Sequence, residues 1–147
     1  MKTKQPLKLL IALLIAMLFA VNTHAQVPYT KGHVFTISMI KILPGQGDDY
    51  ITNLKTNLKL VNDEAMKEGL LISYRMFMGA GSSPGDFNFM ILDEYADANN
   101  AMGNDDKWDA IRQKLVGDNT AAQALMATRT KQREILGTKD MQEIFFK

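Results

Sequence analysis

The sequence contains no cysteine among its 147 residues. This absence excludes disulfide bonds, thiolate nucleophiles, thiolate metal ligands and lipid attachment at an N-terminal cysteine. Histidine is scarce as well: His33 is the only one within residues 26–147. We therefore expect no metal site and no cofactor, since zinc would find only carboxylates and one histidine.

The sequence also lacks an excess of positive charge. Three of the 17 basic residues lie within residues 1–25, so residues 26–147 carry 14 basic and 16 acidic side chains. Proteins that bind nucleic acids present a basic surface to the phosphates. A nucleic-acid partner is therefore not expected. The composition, with 46% hydrophobic and 22% charged residues, is typical of one globular domain.

Long apolar runs are limited to a single segment of 13 residues, residues 9–21, which follows three lysines and precedes Ala25. A membrane-spanning helix needs roughly 20 apolar residues, so this segment is too short to be one. It predicts a secretory signal peptide over residues 1–25, cleaved after Ala25, with an uncleaved anchor as the alternative. We expect one exported domain over residues 26–147, located in a bacterial periplasm or outside the cell, without stable membrane insertion after cleavage.

The hydrophobic pattern of the remaining chain predicts four strands and three helical segments in the order βαββα(α)β. The predicted strands cover residues 33–42, 70–78, 86–95 and 141–146. The predicted helices run from Asp48 to Gly69, from Asp97 to Gly117 with an interruption at Gly103, and from Asp118 or Asn119 to Leu136, closed by Gly137.

This order predicts an α+β, ferredoxin-like split βαβ fold, a four-stranded antiparallel sheet with helices on one face. On the first strand, Phe35, Ile37 and Met39 form a continuous apolar face, which we expect to be the core face. The opposite face of the sheet is also apolar in either register, and the sequence offers two candidate sets for it: Val34, Ile40, Leu71 and Phe77, or Tyr74, Met76, Met90 and Phe146. A second copy packed about a two-fold axis would cover it, so we expect a homodimer.

Residues 34–50 read VFTISMIKILPGQGDDY, a strand that ends in a Pro-Gly turn and leads into an acidic and aromatic helix start. This segment resembles the opening of the dimeric α/β-barrel superfamily and is similar to antibiotic biosynthesis monooxygenases and their uncharacterised exported relatives. The resemblance implies a ferredoxin-like fold, a dimer and a ligand cavity between sheet and helices. It does not imply one activity, because the superfamily contains oxygenases, isomerases, haem-degrading enzymes and ligand sensors.

Departures from that superfamily limit what can be transferred. Haem-degrading members use a histidine on a helix, whereas His33 is placed at the start of a strand. Trp108 and Asn88 resemble residues of such sites only by type, so no catalytic role is carried over to them.

Arg75 is the residue that points most directly to a ligand, because a charged side chain within a strand needs an anionic partner. Its planar guanidinium could hold a carboxylate or phenolate in an anion-accepting pocket lined by Tyr74, Tyr95 and Trp108. The alternative is a structural role in which Arg75, Arg129 and Arg133 pair with acids or surround the dimer interface, Arg129 and Arg133 sharing one helix face. His33 and Arg75 are the catalytic candidates, and His33 could act as a base near neutral pH.

Two motif matches have simpler interpretations. Residues 81–85 satisfy the G-x-S-x-G pattern of hydrolases, but the pattern requires a strand, a tight turn and a helix, and here a strand follows. Asp105, Asp106 and Asp109 lack the central glycine and distal glutamate of a calcium loop. We interpret the first as a hairpin loop and the second as a solvated acidic helix start.

Three hypotheses for function follow. The leading one is an exported homodimer that binds a small, partly apolar molecule or a partner. The second is a cofactor-independent monooxygenase or isomerase acting on an aromatic or polyketide-like compound, in which a base takes a proton from the substrate. The third is a structural subunit of an assembly.

Overall fold

The computed structural model of the protein describes residues 27–147, apart from the side chain of Asn119. The predicted signal peptide, with its cleavage site after Ala25, lies outside the described residues. Residues 31–145 form one compact unit, and residues 27–30 with 146 and 147 belong to a second. Within the second unit, the Lys147 amide donates a hydrogen bond to the Pro28 carbonyl.

Four strands and five α-helical segments make up the described chain. The strands are β1 (Tyr29–Ile42), β2 (Ser73–Met78), β3 (Phe89–Tyr95) and β4 (Arg133–Phe146). The helices are α1 (Gly47–Asn53), α2 (Lys59–Lys67), α3 (Ala98–Met102), α4 (Asp105–Val116) and α5 (Asn119–Gln132), and a π-helical segment, Leu54–Leu58, joins α1 to α2.

The strands form one sheet in the order β2-β3-β1-β4. β3 is antiparallel to both β1 and β2, with Val34 opposite Tyr95 and Tyr74 opposite Asp93. β4 runs antiparallel to β1, as two hydrogen bonds show. The Thr36 hydroxyl donates to Asp140, and further along β1 the Leu43 amide donates to the carbonyl of Gln132, which comes earlier in the chain than Asp140. The chain therefore has the predicted ferredoxin-like α+β fold.

The first helical region begins at the turn after β1, where Gly45 has a φ of +76°. Asp48 and Asp49 occupy its first turn, where carboxylates interact favourably with the helix dipole. The region ends before Gly69, whose φ of +71° is the left-handed conformation that glycine adopts without strain. The predicted helix is confirmed, and the π-helical segment within it was not predicted.

The core lies between the sheet and the helices, in two clusters of buried side chains. Val34 packs with Val61, Ala65 and Ile111 in one cluster, and Ile40 packs in the other. The second cluster contains Ile40, Ile42, Tyr50, Leu54, Phe89 and Ile91, with the Tyr50 and Phe89 rings edge to face at 5.6 Å.

The expected core face of β1 was wrong. Val34, Ile40 and Ile42 point toward the helices, so the odd positions Phe35 and Ile37 lie on the opposite face. The even positions include Thr36 and Ser38, whose hydroxyl groups bond to Asp140 and Thr138, and these polar residues made that face look less like a core.

We use the term open face for the side of the sheet that has no helix against it. By strand alternation and the observed register, its apolar side chains on β1, β2 and β3 are Phe35, Ile37, Met39, Phe77, Met90 and Leu92. Both sets of residues predicted for the uncovered face are therefore wrong in part, because Val34, Ile40 and Leu71 are buried and Tyr74 and Met76 pack against the core clusters.

The boundary between α5 and β4 differs from the prediction by several residues. Helix α5 ends at Gln132 and β4 starts at Arg133, whereas the sequence predicted a helix to Leu136 and a strand from Met141. The Arg133 backbone is extended, with φ −150° and ψ 161°. Arg129 and Arg133 therefore do not share a helix face as predicted.

Other predicted boundaries hold more closely. Asp97 caps α3 through a 2.8 Å bond from the Asn100 amide, and Asp118 caps α5 through a 3.0 Å bond from the Ala121 amide. Gly103 separates α3 from α4, as expected. β2 and β3 each start three residues later than predicted. Within residues 27–147, no helix has the length and apolar character needed to cross a bilayer.

Candidate functional site

A cavity of about 330 Å³ lies between the helices and the sheet. We call it the helix–sheet cavity. Its apolar lining comes from the π-helical segment and from helices α2 to α5: Leu58, Val61, Ala101, Trp108, Val116, Ala122, Leu125 and Met126. Its polar lining consists of Asn57, Asn62, Asp93, Tyr95, Asp105, Arg112 and Arg129. Apolar walls with a few polar groups are typical of small-molecule sites.

Asp93 contributes a carboxyl group from the centre of the sheet. It follows Phe89 and Ile91 on the face of β3 that points toward the helices, so strand alternation places it among buried side chains. The Asn62 side-chain amide donates a 3.3 Å hydrogen bond to it. Burial raises the pKa of Asp93 to about 6, and the Asn62 bond only partly offsets this. The group can therefore gain or lose a proton near neutral pH.

Tyr95 lies two residues further along the same face and is buried. Burial, together with the carboxylates of Asp93 and Asp140, raises the pKa of Tyr95 to about 12. The phenol therefore stays protonated and can donate a hydrogen bond in the cavity.

Trp108 and Arg112 form one wall from α4. The Arg112 guanidinium lies 5.7 Å from the centre of the Trp108 ring and also pairs with Asp109 at 2.6 Å. This arginine already has a carboxylate partner and is mostly exposed.

Arg129 reaches the cavity from α5 and is held by the first helical region. Its Nε donates to Asn53 Oδ1 at 2.8 Å, and the side chain is partly buried. Burial, followed by the nearby Arg133 charge, lowers the pKa of Arg129. Arg133 itself donates to the Tyr50 hydroxyl at 2.6 Å and lies over that ring.

The π-helical segment helps to build this site. Asn57 and Leu58 belong to it and line the cavity, and Asn53, which holds Arg129, directly precedes it. Segments of this kind often occur at functional sites because they redirect side chains without ending the helix.

The structure separates the residues predicted to form the site. Tyr95 and Trp108 line the helix–sheet cavity, whereas Arg75 and His33 lie on the open face beside Glu94. Tyr74 points to the helix side, but its hydroxyl donates to Asp63 at 2.8 Å. Burial, and then that bond, raise the pKa of Tyr74 to about 12. The predicted roles of these residues stay predictions.

Glu94 forms hydrogen bonds with three polar side chains at the edge of the open face. His33 Nδ1 lies 2.7 Å from Oε1 of Glu94, Arg75 donates to Oε2 at 3.2 Å, and the Ser73 hydroxyl also donates to Oε2. The hydrogen bond from Ser73, followed by that from His33, lowers the pKa of Glu94. Arg75 thus has the acidic partner that the structural alternative predicted for it.

Asp93 was not predicted as a site residue, although the sequence holds a signal for it. Strand alternation from Phe89 and Ile91 places Asp93 on a buried face, and a carboxylate there needs a reason. Asn62 and Arg129 have no comparable signal, since polar residues are common in helices and nothing in the sequence marks these two as buried.

The G-x-S-x-G segment, residues 81–85, lies in the loop between β2 and β3. Ser82 donates from its amide and its hydroxyl to Asp86, both at 2.8 Å, within the loop between β2 and β3. This serine sits in a hairpin loop, as predicted. No group of three or more potential metal ligands occurs among the described residues.

The fold has counterparts among solved structures. A conserved protein of unknown function from Bacteroides thetaiotaomicron VPI-5482, described as a possible oxidoreductase, is 16% identical, with 79% of this chain and 100% of that chain covered at a TM-score of 0.40. A dimeric ferredoxin-like protein from an uncultured marine organism is 9% identical, with 80% and 90% covered at a TM-score of 0.45.

A third solved structure is a dimeric ferredoxin-like protein of unknown function from Thermobifida fusca YX, 17% identical, with 83% of this chain and 99% of that chain covered at a TM-score of 0.40. No protein-family model and no curated protein matches the chain. The fold assignment rests on the strand order and register of the chain itself.

Proposed function

We propose that the protein is an exported homodimer that binds a small, partly apolar molecule in the helix–sheet cavity. The cavity carries the proposal: about 330 Å³ of space, walled by Leu58, Val61 and Trp108, with Asp93 and Tyr95 at its sheet side. A space of this size is at the lower end of the range of known ligand pockets, which is roughly 300–1,000 Å³.

The open face supports the dimer. Six large apolar side chains lie on it, and Phe77 is 47% exposed in the single chain. A patch of this kind on a soluble protein marks an interface. The rim carries Arg75, His33 and Glu94, so both signs of charge are present and a second copy related by a two-fold axis can match them.

Native mass spectrometry of the protein recovered from a bacterial periplasm tests this proposal. We expect a subunit that starts at Gln26, a dimer mass, and an additional small mass that is released on denaturation. Unprocessed protein would contradict export, a monomer would contradict the dimer, and an empty dimer would favour the structural-subunit hypothesis.

Ala122→Trp locates the bound molecule. Ala122 lines the cavity from α5, so a tryptophan there fills the space, whereas Ala124 on the same helix is exposed. The additional mass should disappear in Ala122→Trp and persist in the matched control Ala124→Trp. Persistence in both variants would place the molecule outside the cavity.

Asp93 favours a second candidate, a proton-transfer enzyme of the isomerase kind. A carboxyl group with a pKa of about 6 beside a cavity is suited to general acid–base catalysis. His33, the base predicted from sequence, lies on the other face of the sheet, so Asp93 takes that role in this hypothesis.

Deuterium exchange of the model compound 2-tetralone, followed by NMR, separates the two candidates. An enzyme of this kind should accelerate loss of the protons beside the carbonyl, and Asp93→Asn should slow this by about 100-fold or more. Exchange at the solvent rate with the unmodified protein would leave the binding protein as the better account.

A further inference from the structure

We propose that the molecule bound in the helix–sheet cavity carries an anionic group, a carboxylate or a similar planar oxyanion, which binds to the guanidinium of Arg129. This inference rests on the proposed function, since it assigns a chemical class to the same occupant. It differs from the anion pocket predicted around Arg75, which lies on the open face.

Arg129 is a partly buried cation that has no acidic partner among residues 27–147. No carboxylate of the described residues lies within 4 Å of its guanidinium, whereas Arg75 and Arg112 are paired with Glu94 and Asp109. Taking a charge out of water is unfavourable unless it is paired, so an unpaired, partly buried arginine is a position where an anion is stabilising.

The geometry of the side chain leaves its terminal nitrogens available. Nε is bound to Asn53 Oδ1 at 2.8 Å, which fixes the plane of the guanidinium, and no other side-chain hydrogen bond of Arg129 is found within residues 27–147. A planar fork held at one nitrogen can present its two terminal nitrogens to both oxygens of a carboxylate.

Arg133 strengthens the local positive charge without competing for the same ligand. Its guanidinium is bound to the Tyr50 hydroxyl and lies 5.4 Å from the centre of that ring, and it does not line the cavity. The proximity of the two arginines, together with burial, lowers the pKa of Arg129, and an anion would relieve this repulsion.

The acidic residues of the cavity do not neutralise Arg129. Asp93 and Asp105 also line the space, but neither forms an ion pair with this arginine. Asp93 is protonated for part of the time near neutral pH, since burial raises its pKa to about 6. It can therefore accept or donate a hydrogen bond elsewhere on the same ligand.

A matched pair of probes tests the inference by isothermal titration calorimetry of the full mature dimer. 2-Naphthoate and 2-naphthamide have the same ring system and differ in charge. A charge-assisted pair contributes roughly 1.5–3 kcal/mol, so we expect the unmodified protein to bind the naphthoate about 10- to 100-fold more tightly.

Arg129→Gln should remove this preference and leave the affinity for 2-naphthamide unchanged. Lys131→Gln is the matched control, because it removes an exposed cation of the same helix that does not line the cavity. The preference should survive in that control, and Arg129→Lys should restore part of it.

The outcomes separate this inference from the proposed function. Equal affinity for both probes in the unmodified protein, or a preference that survives in Arg129→Gln, overturns the anion inference and leaves the cavity as a binding site. Binding of neither probe contradicts the proposed function itself.

Discussion

Asp93 links the stability of the protein to pH at the scale of a single residue. The pKa of Asp93 is about 6 in the folded chain, against 3.8 for an unperturbed aspartate. At a pH between these two values, the folded state therefore holds a proton that the unfolded state has lost. The free energy of unfolding therefore falls as pH rises from about 4 to about 6, and this loss persists at higher pH.

Asp93→Asn should remove that penalty, because the amide cannot ionise and can still accept the bond from Asn62. The variant should gain up to about 3 kcal/mol at about pH 8 and almost nothing at about pH 4, measured by urea denaturation. Asp63→Asn is the opposite control, because hydrogen bonds from Lys59 and Tyr74 lower the pKa of Asp63, so this variant should lose stability at pH 8. A gain for Asp93→Asn that is the same at both pH values would contradict the account.

The sequence predicted little about which individual residues form the site. Trp108 and Tyr95 could be named as aromatic lining, but residue type did not show that Arg129 lines the cavity and that Arg75 does not. The deciding factor is the register of β2 and β3, which places Arg75 opposite Leu92 on the open face. A shift of one residue would exchange the two faces of a strand.

At the scale of elements, the glycine that ends the first helical region gives a specific test. Gly69 has a φ of +71°, and a Cβ atom added there would meet nothing within 4 Å. The cost of Gly69→Ala is therefore backbone strain alone, about 1 kcal/mol. Gly85→Ala is the matched control, since that residue is equally uncrowded without a positive φ, and it should change stability by less than about 0.5 kcal/mol in urea denaturation. Equal effects would show that the conformation of Gly69 is not what ends the helix.

Elements with a strong local signal were predicted well, and the end of α5 was not. Asp97 and Asp118 are side-chain caps, and Gly69 and Gly117 have positive φ, so the sequence carries the boundary at each of these positions. Residues 133–136 read REIL, which continues a helical pattern equally well. Pairing of β4 with β1 draws them into the sheet, a tertiary effect that local propensity does not contain.

At the scale of the whole molecule, the open face predicts that a charge placed on it weakens association. Met90 lies opposite Met39 and Phe77 on this face, so Met90→Lys would bury an unpaired ammonium group in the proposed dimer interface. We expect mainly monomer by sedimentation velocity at micromolar concentration. Met102→Lys is the matched control, since Met102 is 64% exposed on α3, and it should remain a dimer. A dimer that is equally stable in both variants would show that the open face is not the interface.

The fold could be predicted from the order of elements, because the split βαβ arrangement follows from periodicity and turn residues. The need to cover a second apolar face followed as well, although the residues assigned to each face did not. The cavity could not be derived, because it depends on how α4 packs against α2 and how α5 packs against α1 and α4. The local sequence pattern does not encode such contacts between helices.

The central claim is that a small molecule occupies the helix–sheet cavity, and methionine methyl NMR tests it most directly. Met126 lines the cavity, whereas Met39 and Met90 lie on the open face. With ¹³C-methyl methionine, titration of the protein with 2-naphthoate should shift the Met126 resonance saturably and leave those of Met39 and Met90 in place. Shifts confined to the open-face methionines, or none at all, would contradict the account.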